Sequence, residues 1–413
     1  MRALVFGTRT QPFEVPPGAP QLVQNLASTP CALVEVPDAR PLRPDWYVVR
    51  PVLTGICGSD AKQILLDFEG DADSPMSGFV SFPQVLGHEV VGEVVEAGPA
   101  ATGFAIGDRV VLNPWLTCVT RGVSPVCPAC EAGDYSLCWS FTSGDLENGI
   151  HTGTSSDATG GYAELLPAHS SMLFKVPDGL DDRLAVLADP FAVSLHSVTR
   201  NPPPPGGRVL IWGAGALGCC AVAALRALFP DVEVGIVARF DSQAALAEQL
   251  GAHAVFRLGE PAEMVELLAD WSGGVLRPPM EGFEALPMCF PGFIDVAYDT
   301  IGKPETFEVE SRVLAARGTL VKSGVHAPDR WEWTPLYFKE LKMVGSNAFG
   351  IEEVRGVRRH GIEHYLDLAA SGEIDLTGMV THEFGLTDWQ EAFAALGDQA
   401  TSGAIKVVLD PSR

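Results

Sequence analysis

Positive charge is scarce in this chain: 28 Lys and Arg stand against 52 Asp and Glu in 413 residues, a formal net charge of -24 at pH 7. Such a surface repels a phosphate backbone or an anionic lipid face, which argues against nucleic-acid and membrane-surface roles. The start, "MRALVFGTRTQPFE", lacks a sustained apolar core after its positive charge, so it does not read as a secretory signal, and reduced thiols in the cytoplasm are the expectation. A repeat of solenoid period and any long low-complexity tract are also missing. One uncharged run, "VLIWGAGALGCCAVAAL" from Val209 to Leu225, approaches membrane-spanning length, but three glycines at fixed spacing inside it argue for something else.

What is present is a chain long enough for two or three domains, with 46% hydrophobic residues to fill their cores. The first half is rich in Val, Gly and Pro, with short alternating runs such as "WYVVRPVLTG" and "EVVGEVVEAG" that predict strands joined by tight turns. After the stiff connector "NPPPPGG" (Asn201 to Gly207) the texture becomes apolar strand, glycine turn and amphipathic helix in alternation: "RVLIWGAGALG", "VEVGIVA", "FIDVAYDT", "GTLVKSG". The expectation is a β-rich domain followed by an α/β domain with a parallel sheet.

Within that run, "GAGALG" sets Gly213, Gly215 and Gly218 in the spacing G-x-G-x-x-G, after a strand and at the opening of a helix. The first glycine permits a tight turn, the second lets a pyrophosphate approach the backbone, and the third allows close helix–strand packing, with the helix N-terminus facing the phosphates. A glycine-rich turn in a buried helix hairpin is the plainer alternative.

Two groups of potential metal ligands precede it. "GICGSD" and "GHEVVGEVVEAG" contribute Cys57, Ser59, Asp60, His88 and Glu89, a thiolate and an imidazole on separate turns that suit a zinc ion with an open position. Each alone reads equally well as a buried thiol or a structural histidine. "CVTRGVSPVCPACEAGDYSLC" gathers Cys118, Cys127, Cys130 and Cys138. A disulfide framework does not suit a chain of this size, leaving a metal cage or a C-x-x-C redox pair at Cys127 and Cys130.

With these motifs in order, and with "GDRV", "GGYAEL", "LADPFAVSLH", "YDTIG", "KELKMVGS" and "SGAIKVV" among them, the sequence resembles the medium-chain dehydrogenase/reductase family, specifically its zinc-dependent alcohol and polyol dehydrogenases. The resemblance covers essentially the whole chain. It implies a GroES-like catalytic domain at 1–190 with a zinc lobe at about 114–140, a Rossmann domain at 191–345, a C-terminal segment at 346–413 returning to the first domain, and a homodimer or homotetramer. It also implies Cys57 and His88 as catalytic zinc ligands, with Glu89 in or next to the shell. Asp189 takes the place of a glutamate ligand, or else caps the helix that follows.

The same resemblance makes the four-cysteine set a structural zinc site. Ser124 stands where the family has its first cysteine, so Cys118 is the implied fourth ligand, across a lengthened loop. In the implied reaction an alcohol or carbonyl oxygen occupies zinc's open position, hydride passes to or from the nicotinamide, and Ser59 hands on the alcohol proton. Lys62 stands where many relatives have a histidine, and reads as a contact to cofactor ribose or phosphate, a proton carrier if its pKa is strongly lowered, or a solvated surface lysine. Gly213, Gly215, Ala216, Leu217 and Gly218, with Thr300 and Lys406, make up the implied cofactor contacts.

At the end of the second Rossmann strand, where NAD-preferring relatives have an acid, this chain has Ala238 followed by Arg239. A small residue leaves room and an arginine supplies a planar donor, so the expectation is NADP(H) in preference to NAD(H). Asp241 sits beyond the strand end and suits a helix N-cap. The substrate is a small alcohol, aldehyde or ketone, with no further identity legible. Phe68, Met76, Phe79 and Phe82 line or cover an apolar pocket, or only pack their own loop, and the insertion Leu276 to Gly292 serves oligomerisation or nothing specific. Two alternatives remain: a zinc-independent enone or quinone reductase of the same superfamily, and a non-catalytic nucleotide-binding protein.

Overall fold

The computed structural model describes residues 1–67, 75–282, 284–326 and 330–413; Phe68 and part of the long loop around it lie outside the described residues. Near the C-terminal half, six strands form one parallel sheet in the spatial order Ala254–Arg257, Glu233–Ala238, Arg208–Trp212, Ile294–Asp299, Leu314–Lys322, Lys342–Gly345. Numbered along the chain, this is the doubly wound order 3-2-1-4-5-6, whose switch point lies at the carboxyl end of the first strand, Arg208–Trp212. Its central strands are buried on both faces, with Val209, Leu210 and Ile211 all at 0% exposure, which is why they read as continuous apolar runs.

The uncharged run therefore divides into the strand Arg208–Trp212, a glycine turn, and the helix Ala216–Leu228. No described helix is long and apolar enough to cross a membrane. Gly213 has φ +97, and a Cβ on Gly218 would collide with the Gly213 carbonyl, so both positions demand glycine.

The other sheet is β-rich. Trp46–Gly55 lies between Glu89–Ala97 and the C-terminal strand Lys406–Asp410, both antiparallel to it, in a seven-stranded sheet that also holds Arg109–Leu112, Leu166–His169, Leu173–Lys175 and Val380–Gly385. The last strands thus complete the first sheet. A core containing Leu53, Val91, Phe191, Cys219, Phe349 and Tyr365 joins the two halves. In the insertion after residue 275, Leu276–Arg277 pairs with Met288–Cys289 as a two-stranded ribbon.

Candidate active site

Strand register brings the first ligand group together. Gly55 at the end of one strand pairs with Glu89 at the start of its antiparallel neighbour, so Cys57, just past the first, meets His88, just before the second. Donor atoms of Cys57, His88 and Glu89 lie within 4.8 Å of one another. A Cβ on Gly55 would collide with the Glu89 carboxylate, so glycine is needed to admit it.

Around these donors the support is polar and buried. His88 Nδ1 is 3.5 Å from Asp60 Oδ1, and the Tyr162 hydroxyl donates to Asp60 Oδ2 at 2.9 Å. This carboxylate stands next to the ring nitrogen Nδ1, which makes no hydrogen bond among the described residues. Asp60 and Tyr162 both stood in quoted motifs, yet nothing in their spacing showed that they meet. Burial raises the Tyr162 pKa, and the adjacent Asp60 raises it further.

Lys406 corrects one expectation. It does not reach the cofactor cleft: its ammonium is ion-paired with Glu89 and donates to the Ile56 carbonyl at 3.0 Å, at 2% exposure. The strand Lys406–Asp410 lies on Trp46–Gly55, which carries that ammonium under the metal-ligand turn.

Asp189 is buried at 6% exposure in the first turn of the helix Ala188–Arg200, whose N-cap is Leu187. It is therefore not the cap, and its oxygens fall outside the three-donor set. Burial pushes its carboxyl up to about 7, with Glu89 and Asp60 raising it and His88 and Lys406 opposing. Cys57, Glu89, Asp60 and Asp189 thus crowd one buried region with Lys406 as their close cation, a charge balance that a divalent cation would neutralise.

The four cysteines converge, with donor atoms within 4.8 Å of one another, and Cys118 is the fourth member across the lengthened loop. Backbone N–H groups already point at sulfur: Cys127 to Cys118 Sγ at 3.3 Å, Ser140 to Cys138 Sγ at 3.3 Å, and Cys130 and Trp139 to Cys127 Sγ at 3.5 Å. Donors so arranged stabilise thiolates, and this chemistry fits tetrahedral zinc; a two-cysteine redox pair leaves Cys118 and Cys138 without a purpose. A buried Arg121 donates to the carbonyls of Leu116, Ser143, Leu146, Glu147 and Gly149, which holds the lobe's long loop in place.

The nucleotide cleft, of about 630 Å³, opens at the switch point. Trp212, Gly213, Gly215, Arg239, Thr300 and Lys62 line it. A Cβ on Gly215 would meet nothing within 4 Å, so open space stands over the helix N-terminus where a pyrophosphate would approach. Ala216, Leu217 and Gly218 form the helix start behind that turn, and Thr300 anchors it by donating to the Trp212 carbonyl at 2.8 Å. Ala238 is buried at the strand end and Arg239 is exposed, its guanidinium 5.1 Å from the centre of the Phe240 ring. Asp241 is the first residue of the helix Asp241–Gln249 and not its N-cap, which is Phe240; its carboxylate is ion-paired with Arg257.

Cys57 is the N-cap of the helix Gly58–Ile64, and Gly58, Ala61 and Lys62 of that helix line the cleft. Lys62 is thus no purely surface lysine. Ser59, half-buried on the same helix, makes no hydrogen bond among the described residues. Met76, Phe79 and Phe82 are exposed at 48%, 41% and 56%, and none lines that cleft.

Residues 43–178 match the alcohol dehydrogenase GroES-like domain and residues 216–363 the zinc-binding dehydrogenase model. Sorbitol dehydrogenase of Bacillus subtilis is 25% identical over 95% of this chain and 97% of its own length, and L-threonine 3-dehydrogenase of Paraburkholderia phytofirmans is 29% identical over 88% and 91%. Among solved structures, galactitol-1-phosphate dehydrogenase from Escherichia coli superposes with a TM-score of 0.71 at 21% identity over 100% of both chains, a likeness of fold.

Proposed function

The chain belongs to the zinc-dependent medium-chain alcohol and polyol dehydrogenase family, and from that premise we propose that it transfers a hydride between a small alcohol or carbonyl substrate and NADP(H), using Cys57, His88 and Glu89 beside Asp189 as its catalytic metal site. The observation that carries the reading is the helix Gly58–Ile64: its N-cap Cys57 is a metal donor, while Gly58, Ala61 and Lys62 line the nucleotide cleft. Metal and nicotinamide chemistry thereby share one short element.

Zinc when bound supplies Lewis acidity toward the substrate oxygen, and the nicotinamide supplies the hydride acceptor or donor. The protein's own groups do the rest. Asp60, bonded by the Tyr162 hydroxyl, places a buried carboxylate beside the His88 ring nitrogen. Lys406 is the buried ion-pair partner of Glu89. The Ser59 hydroxyl, two residues beyond Cys57, takes and passes on the alcohol proton. Lys62 faces the cleft and contacts cofactor ribose or phosphate.

Preference for NADP(H) is supported by the missing acid at Ala238, by Arg239 at the cleft wall, and by Asp241 being engaged with Arg257. Cys118, Cys127, Cys130 and Cys138 hold a second, structural zinc that closes their lobe. The chain works as a homodimer or homotetramer.

The test is a matrix of alcohols and aldehydes against both nicotinamide cofactors, with zinc measured on the same sample. Two zinc ions per chain and NADP-linked turnover are expected. Turnover without zinc, or retained after Cys57→Ser, would overturn the reading.

A further inference from the structure

Gln243 stands in the first turn of the helix Asp241–Gln249, just past the strand end at Ala238. The N-cap of that helix, Phe240, has no side-chain oxygen to offer the free backbone donors of the turn. Gln243 serves them instead. Its Oε1 accepts from Arg239 N–H at 3.3 Å and from Phe240 N–H at 3.4 Å, the backward-reaching half of the pattern that closes many helix starts.

Those two donors also fix which way the amide faces. An amide oxygen has two lone pairs and both are taken here, whereas the opposite orientation would set an NH2 group against two N–H groups. The Nε2 amine is left with its protons and no acceptor among the described residues. Gln243 is only 6% exposed, yet it lines the nucleotide cleft together with Arg239 and Phe240. Leaving a donor unpaired in so buried a place is costly, and a ligand oxygen entering the cleft removes that cost.

The surroundings favour a charged oxygen. The N-terminus of the nine-residue helix and the Arg239 guanidinium are both positive, and Asp241, the acid of the first turn, is engaged with Arg257. We infer that Gln243 is a specificity-determining residue for the cofactor: its amide oxygen holds the backbone at Arg239 and Phe240, and its amine donates to the 2′-phosphate of NADP(H). This deepens the NADP(H) reading above and rests on it. Arg239 supplies charge on a long, exposed side chain, and Gln243 adds a donor whose direction is set before the cofactor arrives.

The experiment measures by calorimetry the binding of 2′,5′-ADP and 5′-AMP, which differ by that one phosphate, to wild type, Gln243→Glu and Gln243→Met. Wild type is expected to favour 2′,5′-ADP. Gln243→Glu keeps the oxygen that the two N–H groups need and turns the donor into a charged acceptor, so 2′,5′-ADP should weaken about a hundredfold while 5′-AMP stays within about threefold. Gln243→Met removes the donor without adding charge, and should weaken 2′,5′-ADP about tenfold more than 5′-AMP. The ratio of Michaelis constants for NADP and NAD should move in the same order. An equal fall for both ligands, or an unchanged ratio in both variants, would overturn the inference and leave Gln243 as a cap of its own helix. A shift in Gln243→Glu alone would assign the effect to the added charge and overturn it too. Wild type that binds 5′-AMP the tighter would instead overturn the NADP(H) reading, and the inference with it.

Discussion

Lys406 and Glu89 form a buried ion pair directly beneath the turn that carries Cys57, each no more than 3% exposed at the side chain. Removing one member of such a pair strands the other's charge, typically at about 3–5 kcal/mol. Lys406→Met is therefore expected to lower stability by that order and to weaken zinc retention. The double variant Lys406→Met with Glu89→Gln should cost less than the sum of the singles in chemical denaturation. Strictly additive losses would show that the two groups do not act as a pair.

The two metal sites should separate cleanly. Cys130→Ser should remove one zinc and lower the melting temperature, since the cage stabilises its own lobe. Asp189→Asn should leave the cage loaded but reduce zinc at the catalytic site by about tenfold in affinity, because it deletes a carboxylate from a region in excess of negative charge. Zinc counted after dialysis against a graded chelator distinguishes the two, and unchanged retention in Asp189→Asn would leave that residue without a part in metal binding.

Cofactor choice is expected to depend on Arg239. A charge-assisted contact to a 2′-phosphate is worth about 1.5–3 kcal/mol, so Arg239→Ala should raise the Michaelis constant for NADP about ten- to a hundredfold while barely altering that for NAD. Initial rates with both cofactors check this. A wild-type enzyme that used NAD with the higher catalytic efficiency would reverse the assignment.

Glu310, in the helix Pro304–Val313, is 0% exposed and neither carboxylate oxygen has a partner among the described residues. Burial raises its pKa well above the ordinary carboxylate range, and nearby Asp299 adds to the shift. The folded chain thus holds a proton that the unfolded chain releases above about pH 4.3, so this residue's contribution to stability is full below that pH and is lost as pH rises through the folded value. Glu310→Gln should stabilise the protein at pH 8, with the gain vanishing near pH 4. Urea denaturation at the two pH values measures it, and a gain independent of pH would count against a protonated Glu310.

Local spacing by itself determined the glycine turn and gathered the four cysteines, because each depends on residues close together in the chain, whereas Cys57 and His88 stand on separate motifs that strand register brings together. G-x-G-x-x-G is legible since Gly213 and Gly218 meet within one turn of chain, and four cysteines within 21 residues need only a loop to converge. Tertiary structure alone decided which distant side chains face them. Lys406 sits under Glu89 because a C-terminal strand adds to the edge of Trp46–Gly55, and its bond to Ile56 spans 350 positions. Asp60 meets Tyr162 across 102 positions by the same kind of closure. His151 reaches His88 through an isolated bridge to Trp115, which no periodicity announces. Asp189 was placed by motif alone, but whether its carboxylate joins the donors depends on how a helix packs, and that is set by buried surface, not by spacing.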